Sequence, residues 1–378
     1  MPFGDWTSLR NILCIRLDNM GDVLMSQPAI RALKGAAPAR KITLLTSTAG
    51  ASIARFIPEV DEVIPFDVPW VKINEANEVN ENGGKQQLLA LADALESRRF
   101  DAAVIFTVYS QNPLPAAMLC YQAGIKTVLG YCRENPYQLI SRWVPDREPV
   151  DYVLHEVERQ LRLVESIGAA SADMRLSLEF DGKSKKTVSE KISAMLAAAG
   201  IGMDEPWLVL HAGVSEEKRR YPASEYVKAG RSLIEQGYKI VLTGSPSERG
   251  ITEEIARPLG VGAVNFAGKL SLAELIGLIT AAPVLVANNT GPVHIAAAVG
   301  TPVVVLYAMT NPQHTPWQVA NRVLYFEVPP HLRTRNRLLQ SFPGPSSPRA
   351  SPEAIETAVN ELTRIDNGSK RYRTHSFV

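Results

Sequence analysis

Short apolar runs alternate with longer helical segments along most of this sequence, and this alternation is the feature that most constrains its fold. Runs typical of buried strands lie at residues 11–17, 41–45, 62–66, 102–106, 127–130, 207–211, 239–243, 264–266, 281–287 and 302–307. Strands that alternate with helices favour βαβ units, in which neighbouring strands pair in parallel. The sequence therefore predicts an α/β protein with parallel sheets in two successive Rossmann-like domains.

The boundaries of these domains are indicated by changes in composition. We predict a first domain at residues 1–180, an interdomain linker helix at 181–204, a second domain at 205–345, a connector and helix at 346–366, and a disordered tail at 367–378. A chain of 378 residues is long enough for two separate cores. The polar stretch at residues 68–85 has no periodicity, which predicts a mobile loop or lid.

Composition excludes several classes of protein. Lys plus Arg is 40 and Asp plus Glu is 39, so the net charge of +1 gives no general attraction to nucleic acid. The three cysteines lack any C-x-x-C spacing, which is typical of core thiols in a reducing cytoplasm. The longest nearly apolar run, residues 275–287, is shorter than the roughly 20 residues that span a bilayer.

One strand-to-helix turn has the features of a phosphate site. In V-A-N-N-T-G-P-V-H, residues 288–291 link a predicted strand to a helix that has Pro292 in its first turn. The backbone N–H groups of such a turn, with the Thr290 hydroxyl and the small Gly291, suit a bound anion. His294 lies in the first helical turn and could point toward that anion. An ordinary capped helix explains the same pattern.

Asp22 follows the first predicted strand, in the turn D-N-M-G-D. The carboxyl ends of parallel strands are where open α/β sheets bind ligands, so this carboxylate is a candidate functional group. The alternative is an N-cap that accepts hydrogen bonds from the next helix.

Several motifs, taken in order, resemble glycosyltransferase family nine, the heptosyltransferases that use ADP-heptose. The motifs are I-R-L-D-N-M-G-D-V-L, L-H-A-G with K-R-R-Y-P, G-S-P-S-E, G-K-L-S-L-A-E-L and N-T-G-P-V-H-I-A-A-A-V-G-T-P, which lie within residues 11–316. The resemblance implies a GT-B fold of two facing Rossmann-like domains. It also implies that the first domain binds the acceptor and the second binds the nucleotide-sugar donor.

The resemblance also implies roles for individual residues. Asp22 would be the base that deprotonates the acceptor hydroxyl in an inverting transfer. The donor would be bound by residues of the second domain, namely Lys218, Arg219, Glu248, Leu270, Asn289, Thr290, Gly291 and His294. Either Lys218 or Arg219 would contact the diphosphate, because one extra residue before Pro222 leaves the match between them open.

No metal and no cofactor besides the donor substrate are expected. His211, His294 and His314 are separated in the sequence, and no D-x-D triplet follows a predicted strand. The charge of the leaving ADP would then be met by N–H groups and cations.

The donor is predicted to be an ADP-sugar and the acceptor a glycan or a lipid-linked glycan. We expect a cytoplasmic location, at the inner face of the membrane if Trp70 and Trp143, with Arg133, Arg142 and Arg147, contact that surface.

Two departures from the family pattern leave alternatives open. Asn289 stands where much of the family has aspartate before T-G-P, and Tyr221 stands where tryptophan is common. A nucleotide-sugar epimerase on the same scaffold, or a sugar-nucleotide-binding protein without activity, therefore remains an alternative. A dinucleotide oxidoreductase is disfavoured because no G-x-G-x-x-G follows either opening strand.

Overall fold

A computed structural model describes residues 6–71, 84–202, 205–308, 312–329 and 347–369 of the chain. The chain divides into two compact units, Met1–Glu179 and Phe180–Val378. Each unit contains one six-stranded sheet, and every pair of neighbouring strands is parallel. The predicted α/β class is confirmed.

The first unit has strand order β3-β2-β1-β4-β5-β6. Its strands are β1 (Asn11–Arg16), β2 (Lys41–Thr46), β3 (Glu62–Pro65), β4 (Ala102–Ile105), β5 (Val128–Cys132) and β6 (Arg142–Pro145). Its helices are α1 (Met20–Ala36), α2 (Thr48–Ala54), α3 (Gly84–Ser97), α4 (Leu114–Gln122) and α5 (Glu156–Glu165).

The second unit has strand order β12-β11-β10-β7-β8-β9. Its strands are β7 (Trp207–His211), β8 (Lys239–Thr243), β9 (Ala263–Asn265), β10 (Leu285–Asn288), β11 (Val303–Ala308) and β12 (Asn321–Phe326). Its helices are α6 (Gly182–Ala198), α7 (Ala223–Glu235), α8 (Arg249–Leu259), α9 (Leu272–Ala281), α10 (Gly291–Val299) and α11 (Pro352–Ser369).

Both sheets reverse their strand order beside their first strand. The reversal lies between β1 and β4 in the first unit and between β7 and β10 in the second. At such a point the loops leave two adjacent strands in opposite directions and open a crevice at the carboxyl edge. The loops after β1, β4, β7 and β10 are therefore placed to bind ligands.

The central strands form the core of each unit. Every residue of β7, β10 and β11 is buried, so these strands are nearly continuous apolar runs and do not alternate. Cys14, Cys120 and Cys132 are buried free thiols, as predicted. No helix in the described part of the chain is both long enough and apolar enough to cross a membrane.

Most predicted elements are found, two of them with the predicted bounds. β7 and β8 begin and end where the sequence pattern places them. The strand predicted at residues 281–287 starts only at Leu285, because Ala281 ends α9. The edge strands β6 and β12 were missed, since four residues of β12 and all of β6 are partly or fully exposed and their apolar pattern is weak.

The start of α1 corrects one interpretation of Asp22. The helix begins at Met20 with Asn19 as its N-cap, so Asp22 is the third helical residue. The N-cap interpretation of Asp22 is wrong, and its carboxylate contacts the Arg16 side chain instead.

The segments that were predicted to be linkers differ in part from the structure. α6, the predicted linker helix, packs on α9 within the second unit. Backbone helix in α11 continues to Ser369, past the start of the predicted tail, and residues 370–378 lie outside the described residues. Val68 at the start of the predicted loop is buried, whereas residues 72–83 lie outside the described residues.

The side chains that were considered for membrane contact are largely occupied within the first unit. Trp70 and Trp143 pack against its apolar core. Arg142 donates to the Ser166 carbonyl, and Arg133 donates to the carbonyls of Tyr109 and Glu148. Arg133 is nevertheless exposed and the Arg147 side chain is 68% exposed, so contact with a membrane surface stays a prediction.

A close approach at Gly277 holds α6 against α9. A Cβ atom added at Gly277 would lie 2.4 Å from Cγ1 of Val188. We predict that Gly277→Ala lowers the free energy of unfolding by about 1–2 kcal/mol, because overpacking outweighs the gain in helix propensity. Gly250→Ala in α8 is the matched control, since an added Cβ meets no atom within 4 Å there. Differential scanning calorimetry should show a lower melting temperature only for Gly277→Ala.

Candidate functional site

In the first unit, three carboxylates meet one buried arginine at the carboxyl end of β1. Arg16 Nε lies 2.9 Å from Asp18 Oδ2, Nη1 lies 2.7 Å from Glu156 Oε1, and Nη2 lies 3.2 Å from Asp22 Oδ1. The Arg16 side chain is 0% exposed. The predicted base thus lies in an ionic cluster beside the sheet reversal.

Asp18 is fixed from the loops that surround it. Gln111, in the loop after β4, donates its side-chain amide to Asp18 Oδ1, and the Ser47 hydroxyl donates to the Asp18 carbonyl. Burial raises the pKa of Asp18 to about 6, although the Arg16 guanidinium opposes the shift. Asp18 therefore joins the loops of the two strands that flank the reversal.

Glu156 enters the cluster from α5 and is its most buried acid. Its Oε1 accepts a 2.5 Å hydrogen bond from Gln160 Nε2, which also donates to the Thr107 carbonyl at 3.1 Å. Glu156 is the first residue of α5, where the positive helix end favours a carboxylate. His155 caps this helix by accepting from the Val157 N–H.

Asp22 is the acid in this cluster with the greatest access to solvent. Its side chain is 18% exposed, compared with 12% for Asp18 and 1% for Glu156. A partly exposed carboxylate at the carboxyl edge of a parallel sheet is placed where a bound hydroxyl can reach it.

In the second unit, the turn before α10 is braced by a buried asparagine. Asn288 donates its amide to the Ala212 carbonyl at 2.8 Å and accepts from the Tyr221 N–H at 3.2 Å. Thr290 is the N-cap of α10 but makes no side-chain cap, and its hydroxyl donates to the Asn288 carbonyl. The predicted strand-turn-helix is present, with the helix N-terminus at the edge where β7 and β10 end.

Asn289 lies within this turn, and His294 lies in the first turn of α10. The Asn289 side chain lies beside the buried Tyr307 hydroxyl, and burial raises the pKa of that hydroxyl. Asn289 Oδ1 is buried without a hydrogen-bond partner among the described residues. His294 is 4% exposed and lies within α10.

Both candidate cations lie in the loop after β7 and share one acid. Lys218 Nζ lies 2.8 Å from Glu216 Oε2, and Arg219 Nη2 lies 3.6 Å from Glu216 Oε1. The Lys218 and Arg219 side chains are 31% and 26% exposed. The positive charge of Arg219 acts on the Tyr307 hydroxyl, which places Arg219 near the end of β11.

Glu248 lies across the ends of β7 and β8. It forms a capping box with Ser245, whose N–H donates to Glu248 Oε2 at 2.7 Å. A Cβ atom added at Gly213 would lie 2.0 Å from Glu248 Oε1, so only glycine leaves room for the carboxylate there. Beneath it, His211 Nδ1 lies 3.0 Å from Thr243 Oγ1, and burial lowers the pKa of this histidine.

Leu270 lies farther along the same edge. It is half-buried in the loop between β9 and α9, and the Gly268 N–H of this loop donates to the Gly244 carbonyl at 2.8 Å. The apolar Leu270 side chain is thereby held on the β8 side of the edge that carries Glu248.

The structure places the eight predicted donor-binding residues at the carboxyl edge of the second sheet, and it places Asp22 at the corresponding edge of the first. Arg16, Glu156 and Gly213 were missed as functional residues. A lone arginine at the end of the apolar run N-I-L-C-I-R was the available signal for the first. Among the described residues, no group of three His, Cys, Asp or Glu side chains is arranged to hold a metal ion.

Comparison with known proteins shows which protein family this sequence matches. Residues 88–337 match the sequence model of the family described as Glycosyltransferase family 9 (heptosyltransferase). Lipopolysaccharide heptosyltransferase 2 from Salmonella typhimurium is 27% identical over 311 residues, which cover 81% of this chain and 84% of that protein. The family model matches from residue 88 onward, so this match does not include Asp22. The placement of Asp22 therefore depends on the structure of β1 and α1.

Two solved structures are similar in fold. The glycosyl transferase family 9 protein from Veillonella parvula has a TM-score of 0.73 at 18% identity and covers 94% of this chain and 97% of its own. E. coli ADP-heptose lps heptosyltransferase II has a TM-score of 0.68 at 23% identity and covers 94% of this chain and 99% of its own. These likenesses confirm the predicted GT-B class. Because the family match spans well over half of the 378 residues, the chain belongs to glycosyltransferase family 9 and is a glycosyltransferase.

Proposed function

We propose that this protein is an inverting, metal-independent glycosyltransferase that moves heptose or a related sugar from an ADP-sugar to a glycan or lipid-linked acceptor, as in lipopolysaccharide core assembly. The observation that carries the proposal is the Asp22 carboxylate, held by the buried Arg16 guanidinium at the carboxyl edge of β1. Family membership supports the reaction class. A cytoplasmic location belongs to the same proposal.

Asp22 is the base in this proposal. As the acceptor oxygen attacks the anomeric carbon, its proton passes to Asp22. The bond between that carbon and the diphosphate oxygen breaks, and its electron pair leaves with ADP. Attack from the face opposite the leaving group inverts the anomeric centre, and a positioned base makes the hydroxyl a sufficient nucleophile.

The second unit binds the donor. The N–H groups of Thr290 and Gly291, with Lys218 and Arg219, meet the diphosphate and the charge that develops on it. Glu248 accepts hydrogen bonds from ribose hydroxyls or the base, with Leu270 nearby, and Asn289 and His294 lie toward the diphosphate and the sugar. ADP is favoured because E. coli ADP-heptose lps heptosyltransferase II has the same fold.

The proposed donor class can be tested without an acceptor. A ligand that binds only the folded protein raises its melting temperature, by an amount that grows with concentration. We expect ADP and ADP-sugars to stabilise the purified protein more than GDP- or UDP-sugars at equal concentration. Differential scanning fluorimetry with a panel of these nucleotides makes the comparison. Stabilisation by UDP-sugars alone would contradict an ADP donor.

Glu216 allows a sharper test of the two cations. Lys218→Ala and Arg219→Ala should each weaken ADP binding, and the double variant should weaken it more, because neighbouring cations can partly substitute for each other. Glu216→Gln should strengthen binding about two- to fivefold, since it removes a carboxylate that competes with the diphosphate. Isothermal titration calorimetry measures all four. Equal losses in the single and double variants would show that the cations do not share the role.

Asp22→Asn separates catalysis from folding. The transfer rate should fall about 100- to 10,000-fold, the usual contribution of a positioned base. The free energy of unfolding should change by less than about 2 kcal/mol, because Arg16 keeps its contacts with Asp18 and Glu156. ADP affinity should stay near that of the wild type, since the proposed donor contacts lie in the second unit.

Initial rates, calorimetry and thermal unfolding of this variant check the three expectations. A folded variant that binds ADP and transfers sugar at a near-normal rate would exclude Asp22 as the base. Asp18 would then be the next candidate.

A further inference from the structure

The Arg16 cluster contains more charge than a structural ion pair requires. One guanidinium faces three carboxylates, so their formal charges sum to a negative value in a buried place. Burying charges costs solvation energy, and a buried ion pair seldom stabilises a fold more than apolar packing would. Stability alone therefore does not account for this arrangement.

The contacts of Arg16 are graded from the interior to the surface. The shortest reaches Glu156, which is 1% exposed, and the longest reaches Asp22, which is 18% exposed. Glu156 is held in turn by Gln160, which is bonded to the Thr107 carbonyl. The contact with Glu156 thus fixes one end of the guanidinium. Because the guanidinium is planar and rigid, this contact also fixes the position of Nη2, which binds Asp22.

Arg16 binds only one of the two carboxylate oxygens of Asp22, which leaves the other oxygen to accept a proton. Arg16 Nη2 binds Oδ1, so Oδ2 can meet an acceptor hydroxyl. Arg16 of β1 contacts Asp22 directly, and the same guanidinium contacts Asp18 of the β1–α1 loop and Glu156 of α5.

We propose that Arg16 is a positioning residue that orients the Asp22 carboxylate for proton uptake, and that Glu156 is the buried anchor of Arg16. This inference rests on the proposed role of Asp22 as the base. The Arg16 and Glu156 side chains are 0% and 1% exposed, so in this proposal their effect is exerted through Asp22.

The first unit also contains a matched control. Glu148 is 2% exposed and lies 2.7 Å from Nη1 of the buried Arg159, which repeats the distance and burial of the Glu156–Arg16 pair. Arg159 makes its other ion pair with Asp146 and none with Asp18 or Asp22. Arg159 does donate to the Thr107 carbonyl that Gln160 also uses, but its ion pairs among the described residues are with Asp146 and Glu148 and not with the acids around Arg16. Losing the Glu148 carboxylate should therefore disturb folding much as losing Glu156 does, while the contacts of Arg16 with Glu156 and Asp22 remain.

We expect Glu156→Ala to lower kcat about 10- to 100-fold, the usual cost of a misplaced catalytic group, with acceptor KM and ADP affinity within about twofold of wild type. Glu148→Ala should lower the melting temperature to a similar extent and keep kcat. Equal losses of kcat in the two variants, or an unchanged kcat in Glu156→Ala, would overturn the proposal.

If the alanine variants do not fold, more conservative variants can test the same role of Arg16 and Glu156. Glu156→Gln retains an oxygen that accepts from Arg16 Nη1, so it should recover most of kcat. Arg16→Lys should lower kcat about 10-fold or more, since an ammonium cannot meet all three acids in a fixed plane. A normal kcat in Arg16→Lys would contradict the proposal.

A readout without sugar transfer distinguishes this inference from the proposed function. In full-length protein labelled with ¹⁵N-arginine, the Nη signals of Arg16 should be resolved by slow rotation, persist in Asp22→Asn and merge in Glu156→Ala. Their loss in Arg16→Lys assigns them. If wild-type protein transfers no sugar but shows these signals, the proposed function fails and the anchoring stands; merged signals in the wild type would refute the anchoring itself.

Discussion

Parallel strand pairing is the constraint on which both units depend. Strands that run in one direction need a crossover helix between them, so every strand delivers its following loop to the same edge of the sheet. The order reverses beside β1 and β7, which parts the loops and leaves room for polar groups. The buried strands form a rigid core, and most of the candidate site residues lie in the short segments that follow these strands.

The two units use this edge in different ways. The first gathers acids around one guanidinium, with loops after β1 and β4 tied together through Asp18 and Gln111. The second gathers a helix N-terminus, two cations and a capped glutamate, which together suit a nucleoside diphosphate. The proposed proton acceptor in the first unit and the proposed anion site in the second are the two parts that sugar transfer from a nucleotide requires.

The sequence predicts well what depends on local pattern. The bounds of β7 and β8 follow from apolar runs, and the turn before α10 follows from N-N-T-G-P. Such patterns do not predict contacts between distant residues. Glu156 reaches Arg16 across 140 positions, and Gly213, in the loop after β7, makes room for Glu248, which follows β8. The edge strand β12 was missed because half-exposed strands alternate weakly, and the start of α1 was misplaced because Asn19 caps the helix without a side-chain bond.

The bridging position of Glu216 has a consequence for selectivity among anions. Because this carboxylate pairs with both Lys218 and Arg219 and offsets one of their two positive charges, a singly charged anion such as chloride gains less by approaching either cation. A diphosphate carries enough charge to engage both cations and the helix N-terminus at once, and so can displace the acid. If the second unit binds its donor as proposed, Glu216 thereby makes this loop more selective for a multiply charged phosphate than for singly charged salt anions.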